Sequence, residues 1–156
     1  MRFLLTKEKE LRPLLVVLIN GVLIALSIYL IMDIVLHAVT LGMTPDALRT
    51  TLYGSEEQFV EPMPFGTLLL QVHTDLFMTL FVVLILASIS VRVLETARAK
   101  RIILHLLGLT GVFTPIFLLI AYFTTYTVLF IWLLFFLGWH LLTLVLSCFL
   151  IWKVMR

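Results

Sequence analysis

Six ionisable side chains fall inside stretches of sequence that are otherwise apolar: Asp33 and His37, His73 and Asp75, His105, and His140. Carboxylates and imidazoles together can bind a transition metal or move a proton, and two facing histidines can hold a haem iron. Asp33 and His37 are spaced i,i+4, with Tyr29 one turn earlier, so the three share one helix face. His73 and Asp75 are two residues apart and point to nearly opposite sides of a regular helix. Gln71, Asp75 and Thr79 then form one face, while His73 shares its own with Phe77 and Leu80. His140, Thr143 and Ser147 make a polar stripe that lipid cannot partner, and the stripe is expected to face inward.

These residues support three chemistries. A b-type haem needs axial imidazoles on two facing helices, and His73 with His140 is the pair that diagonal helices of a bundle would bring together. Gly138 lies beside that ligand, and Asp75 or Thr143 is placed to orient an imidazole through its other nitrogen. A bare transition-metal ion such as zinc, iron or copper would take Asp33, His37, His73 and Asp75 as ligands. A proton or ion relay would run through Asp33, His37, Asp75 and His140. The bland alternative is an accessory or scaffold subunit in which the same groups are interhelical polar contacts, each contributing about 0.6–2 kcal/mol. The expectation carried into the structure is haem b and electron transfer near the outer leaflet, with no catalytic activity of the chain's own. Such a protein would work with another membrane or periplasmic redox protein, or as a homo-oligomer.

The elements that must position these groups are long and apolar. Hydrophobic residues make up 62% of the 156, charged residues 13%, against about 45–50% and about 25% in soluble domains, and the mean hydropathy is +1.17. Four apolar runs, about 13–39, 65–91, 102–123 and 127–152, each exceed the ~20 residues that a helix needs to cross hydrocarbon. The first is longer than the core of a signal peptide and has no small-residue cleavage site after it, which predicts a retained span. Rise per residue puts His37 near one interface, Asp33 a turn deeper, His73 and Asp75 in the same half, and His140 near the middle. His105 lies one turn from a basic loop and reads as a snorkelling interfacial histidine. In span count and in histidines within the spans the chain resembles four-helix membrane cytochromes b, although each span here carries one histidine rather than a pair.

Charge sets the expected orientation. Ten of the eleven Lys and Arg residues precede the first run, join the second to the third, or follow the fourth; Arg49 is the exception. The positive-inside rule makes that side cytoplasmic, with both termini inside, and a bacterial inner membrane is the expected home. A net charge of +2 gives no reason to expect nucleic acid, and the single Cys148 cannot form an intrachain disulfide. The outer loop, about 40–64, carries Asp46, Glu56, Glu57 and Glu61, enough to concentrate cations at the entrance. Thr44-Pro45-Asp46 predicts a short helix ending at Gly54, and Ser55 with Gln58 fits the capping box of a second. Tyr53, Phe59 and Phe65 are expected at the interface, and the loop as an ordered lid. Residues 124–126 predict a tight turn, Gly108 and Gly111 a close helix approach, and Pro115 a kink. The expected fold is all-α, a single domain over 1–156: a four-helix transmembrane bundle, N-in/C-in, in contact with the lipid bilayer, with a partly helical outer loop.

Overall fold

A computed structural model describes the backbone of residues 2–124 and 126–156, and side chains from 13 to 124 and from 127 onward. Thr125, in the turn expected at 124–126, lies outside the described residues. The chain is all-helical, with α1 over Arg2–Thr40, α2 over Pro45–Tyr53, α3 over Phe65–Val93, α4 over Ala97–Phe123 and α5 over Tyr126–Met155. Four of these, α1 from Pro13 onward, α3, α4 and α5 from Thr127 onward, are long and apolar enough to cross a membrane. At ~1.5 Å per residue each runs to about 40 Å, against about 30 Å of hydrocarbon, long enough for both ends to reach the headgroups. Large apolar side chains cover the outside of the bundle, Val17, Val39, Leu70, Phe77 and Leu141 among them. In water such a surface would drive association, whereas lipid solvates it without cost.

α1 packs on α5, α5 on α4, and α4 on α3, while α3 also reaches α5 across the bundle. Between α1 and α3 an apolar groove of about 400 Å³ remains, walled by Leu26, Tyr29, Met78 and Val82. Gly111 sets the spacing on the other side. A Cβ there would sit 2.6 Å from Thr79 Cγ2 and 2.7 Å from Trp139 Nε1, so its absence lets α3 and α5 close on α4. Gly108, its expected companion, has open space beside it.

The buried side chains form two clusters. Near the α2 end, Leu41, Leu48, Leu52, Leu68, Leu118, Leu129 and Trp132 pack together; towards the far end, Leu23, Leu30, Val82, Leu86, Leu107 and Leu150 do so. α2 belongs to the first cluster. Thr44 caps it by accepting from Ala47 N–H, Pro45 opens it, and Gly54 closes it by donating to Thr50 O at 2.9 Å. Burying Leu48 and Leu52 contributes about 2 kcal/mol each for side chains drawn from water. Two tyrosines fasten the loop to α4: Tyr53 Oη donates to Ala121 O, and Tyr122 Oη to Met63 O.

The second short helix expected after Ser55 does not form. Ser55 Oγ does accept from Gln58 N–H at 3.4 Å, but Phe59 turns to a φ of +53°, and Ser55 and Val60 exchange backbone bonds of 2.9 and 3.0 Å. Pro62 and Pro64, which lack an N–H, follow at once and cannot extend a helix. The segment is a tight turn with Phe59 exposed at its tip.

Candidate metal centre

Between the two apolar clusters lies a layer of polar side chains supplied by three helices. α1 brings Asp33 and His37, α3 brings Gln71 and Asp75, and α5 brings His140. His37 occupies the last turn of α1, where its carbonyl accepts from both Leu41 N–H and Gly42 N–H at 2.9 and 3.1 Å. Gly42 adopts a φ of +90°, and a Cβ there would lie 2.6 Å from that of Ala47, so only glycine lets the chain double back into α2 directly above the histidine.

Each buried histidine is oriented in the same way. His37 Nδ1 lies 2.9 Å from Asp33 O, and His140 Nδ1 lies 2.8 Å from Phe136 O. A carbonyl only accepts, so both Nδ1 atoms carry a proton and both Nε2 atoms are turned into the bundle. There each meets a carboxylate from another helix: His37 Nε2 is 3.2 Å from Asp75 Oδ2, and His140 Nε2 is 2.9 Å from Asp33 Oδ2. Asp33 joins the two pairs, since its other oxygen lies 3.6 Å from His37 Nδ1. Gln71 Nε2 donates to Asp75 Oδ1 at 2.8 Å and lies 3.2 Å from His37 Nε2, so it can also donate there when that nitrogen is unprotonated. The histidines are buried, 1% and 2% exposed, and the carboxylates are 14% exposed.

A single proton must occupy each Nε2–carboxylate contact, because two facing lone pairs repel. Two imidazolium–carboxylate pairs, or their neutral equivalents, carry no net charge, which suits a site at this depth. Aromatic rings wall the layer: Phe136 lies between the histidines with ring centres 4.6 Å from His37 and 4.2 Å from His140, and Trp139 meets His140 edge-on at 4.9 Å.

The other sequence-derived positions lie elsewhere. His73 is exposed on the outward side of α3, opposite Asp75, and does not meet His140. His105 is exposed and, among the described residues, bonds only Arg101 O of its own helix. Gly138 is exposed with open space around it. The haem pair His73–His140 is therefore not brought together, and the bare-metal set keeps Asp33, His37 and Asp75 while His140 stands where His73 was expected. Ligand atoms of Asp33, His37 and Asp75 lie within 4.8 Å of one another. The space they enclose with Tyr29, Thr79, Thr114, Pro115, Phe136, Trp139 and His140 is about 10 Å³, the volume open to one water or one ion rather than an organic cofactor.

Two participants carry no motif in the sequence. Gln71 is recognisable only as a neighbour of Asp75 one turn away. Trp139, seven residues after Trp132 on one helix face, has the spacing of a packing residue, yet it lines the cavity and its indole N–H is buried without a partner among the described residues. Comparison with protein-family models, curated proteins and solved structures finds no match to this chain.

Proposed function

We propose that this small multi-pass membrane protein binds a divalent transition-metal ion between α1, α3 and α5, with Asp33, His37, Asp75 and His140 as the ligand set. The observation that carries the reading is the shared posture of the two histidines. Each donates Nδ1–H to a backbone carbonyl and turns Nε2 towards a carboxylate, which is how metal-ligating imidazoles are held. The His37–Asp75 spacing suits it. Tetrahedral ligands with bonds of about 2.0–2.1 Å stand about 3.3 Å apart, close to the 3.2 Å between His37 Nε2 and Asp75 Oδ2.

Charge suits it too. A divalent ion replacing one proton in each histidine–carboxylate pair leaves the layer neutral, so loading releases about two protons per ion. Two nitrogen and two carboxylate ligands are compatible with Zn²⁺, Fe²⁺ and Mn²⁺. With the basic termini and the basic α3–α4 junction facing the cytoplasm, the ion lies in the outer half of a bacterial inner membrane, below α2 and its acidic loop. The Lys153–Glu95 ion pair of 2.9 Å keeps the end of α5 beside the α3–α4 junction, which supports their sharing one side.

The test is metal analysis and calorimetry on the full-length protein in lipid nanodiscs. About one Zn²⁺ per chain is expected, with affinity falling more than about 100-fold in His37→Ala and His140→Ala and unchanged in His73→Ala. Wild-type protein that binds none of the three ions would leave the polar layer as a fastening between helices, the accessory-subunit reading. An equal loss in His73→Ala would return that residue to the site.

A further inference from the structure

The metal cavity has one feature that its four protein ligands leave unused. Trp139 is 2% exposed and lines the cavity, and its Nε1–H, which can only donate, has no acceptor. The neighbouring turn of α4 holds the complementary vacancy in hydrogen bonding. Pro115 has no N–H, so the carbonyl of Gly111, pointing along the helix towards it, lacks its usual helical donor. Gly111 is also in close contact with α5: a Cβ at that position would be 2.7 Å from Trp139 Nε1. Thr114 adds an acceptor, because its hydroxyl donates to Thr110 O at 2.8 Å and keeps its lone pairs.

We propose that the cavity holds an exchangeable oxygen ligand of the metal, water or hydroxide, that accepts from Trp139 Nε1–H; this rests on the metal reading and adds a fifth, exchangeable position to the four protein ligands. The bonding balances. A metal-bound water gives one lone pair to the ion, accepts from Trp139 with the other, and has the Thr114 hydroxyl oxygen, which lines the cavity, to accept a proton. Four protein donors alone make a closed structural site, whereas a centre that expands to a fifth, solvent-filled position can exchange a ligand there. Trp139 acts here as a positioning residue, holding the oxygen from α5 while α4 receives a proton.

Full-length protein in nanodiscs is loaded with Mn²⁺, exchanged into D₂O and examined by pulsed EPR for deuterons coupled to the ion. Strongly coupled exchangeable deuterons are expected in the wild type. They are lost or displaced in Trp139→Phe, where Mn²⁺ binding also weakens about 10-fold, and are kept in Trp132→Phe, whose indole N–H is likewise unpartnered but does not line the cavity. Bound Mn²⁺ without coupled deuterons overturns this inference and leaves the metal reading standing. Protein that takes up no Mn²⁺ overturns the inference, and failure with Zn²⁺ and Fe²⁺ as well removes the metal reading beneath it. Should Trp139→Phe fail to fold, Thr114→Val replaces it, and the wild-type spectrum is decisive alone.

Discussion

Two groups of polar side chains on the membrane-crossing helices satisfy themselves in different ways. Ser27, Thr143 and Ser147, which face the apolar cluster at the far end, each return a hydroxyl to a carbonyl four residues back, at 2.8 Å in every case. Asp33, His37, Gln71, Asp75 and His140, one layer nearer α2, reach instead from helix to helix. A hydroxyl that bonds its own backbone is indifferent to where the neighbouring helix lies, so it fixes nothing and costs little. A carboxylate only accepts and cannot bond a carbonyl of its own helix, and an imidazole satisfies only its Nδ1 that way. Each Nε2–carboxylate contact joins two helices, and the partner's departure leaves an ionisable group in hydrocarbon. The difference separates polar residues that merely tolerate the bilayer from those that require a particular assembly around them.

Asp33→Ala strikes the cross-helix layer hardest. It removes the partner of His140 Nε2 and the bridge to His37 at once, and breaking a buried pair in this way costs about 3 kcal/mol. Reversible unfolding in mixed detergent should register that loss, and Zn²⁺ binding should disappear. A cost no larger than that of a far-end hydroxyl would mean the layer is not a unit.

Ser147→Ala supplies the sharpening half of the comparison. The lost bond is to Thr143 O on the same helix, so the expected change is below about 0.6 kcal/mol, with metal binding untouched. A loss approaching that of Asp33→Ala would show that the far end also depends on contacts between helices.

Much of this was legible beforehand, and the limit has a physical cause. Hydropathy marks the four long helices because backbone in lipid must bond to itself, which leaves a long apolar helix as the natural reading of each run. Thr44-Pro45 marks α2 because capping is a local interaction. Spacing also says that His73 and Asp75 cannot both face inward. Which of them does is decided by how α3 rotates against α4, and that rotation depends on Gly111 fitting beneath Thr79, a contact between residues far apart in sequence. The turn after Ser55 escaped for a similar reason: a capping box specifies how a helix would begin, while Phe59 and the return of Val60 decide that none follows. Trp139 was hidden because a heptad-spaced tryptophan looks the same whether or not its N–H finds an acceptor.

The smallest expected effect comes from an ion pair at the water-facing end, where the same kind of contact is made in a different medium. Lys153 donates to Glu95 Oε1 at 2.9 Å, tying the end of α5 to the α3–α4 junction, yet the Glu95 side chain is 83% exposed. The hydrogen bond and charge of Lys153 hold the Glu95 carboxyl below its ordinary value of 4.5. A depressed carboxylate stabilises the folded state above that ordinary value, and the contribution fades as pH falls through the lowered one. Glu95→Gln should therefore melt slightly below wild type at pH 7, and the gap should close under acid and, at neutral pH, in molar salt, since exposed pairs are screened. The buried layer should resist the salt, because no counterions enter it. A Glu95→Gln gap that survives both acid and salt would mean that this joint, too, is sealed from water, and the division drawn above between local and cross-helix bonding would then have to include it among the assembly-dependent contacts.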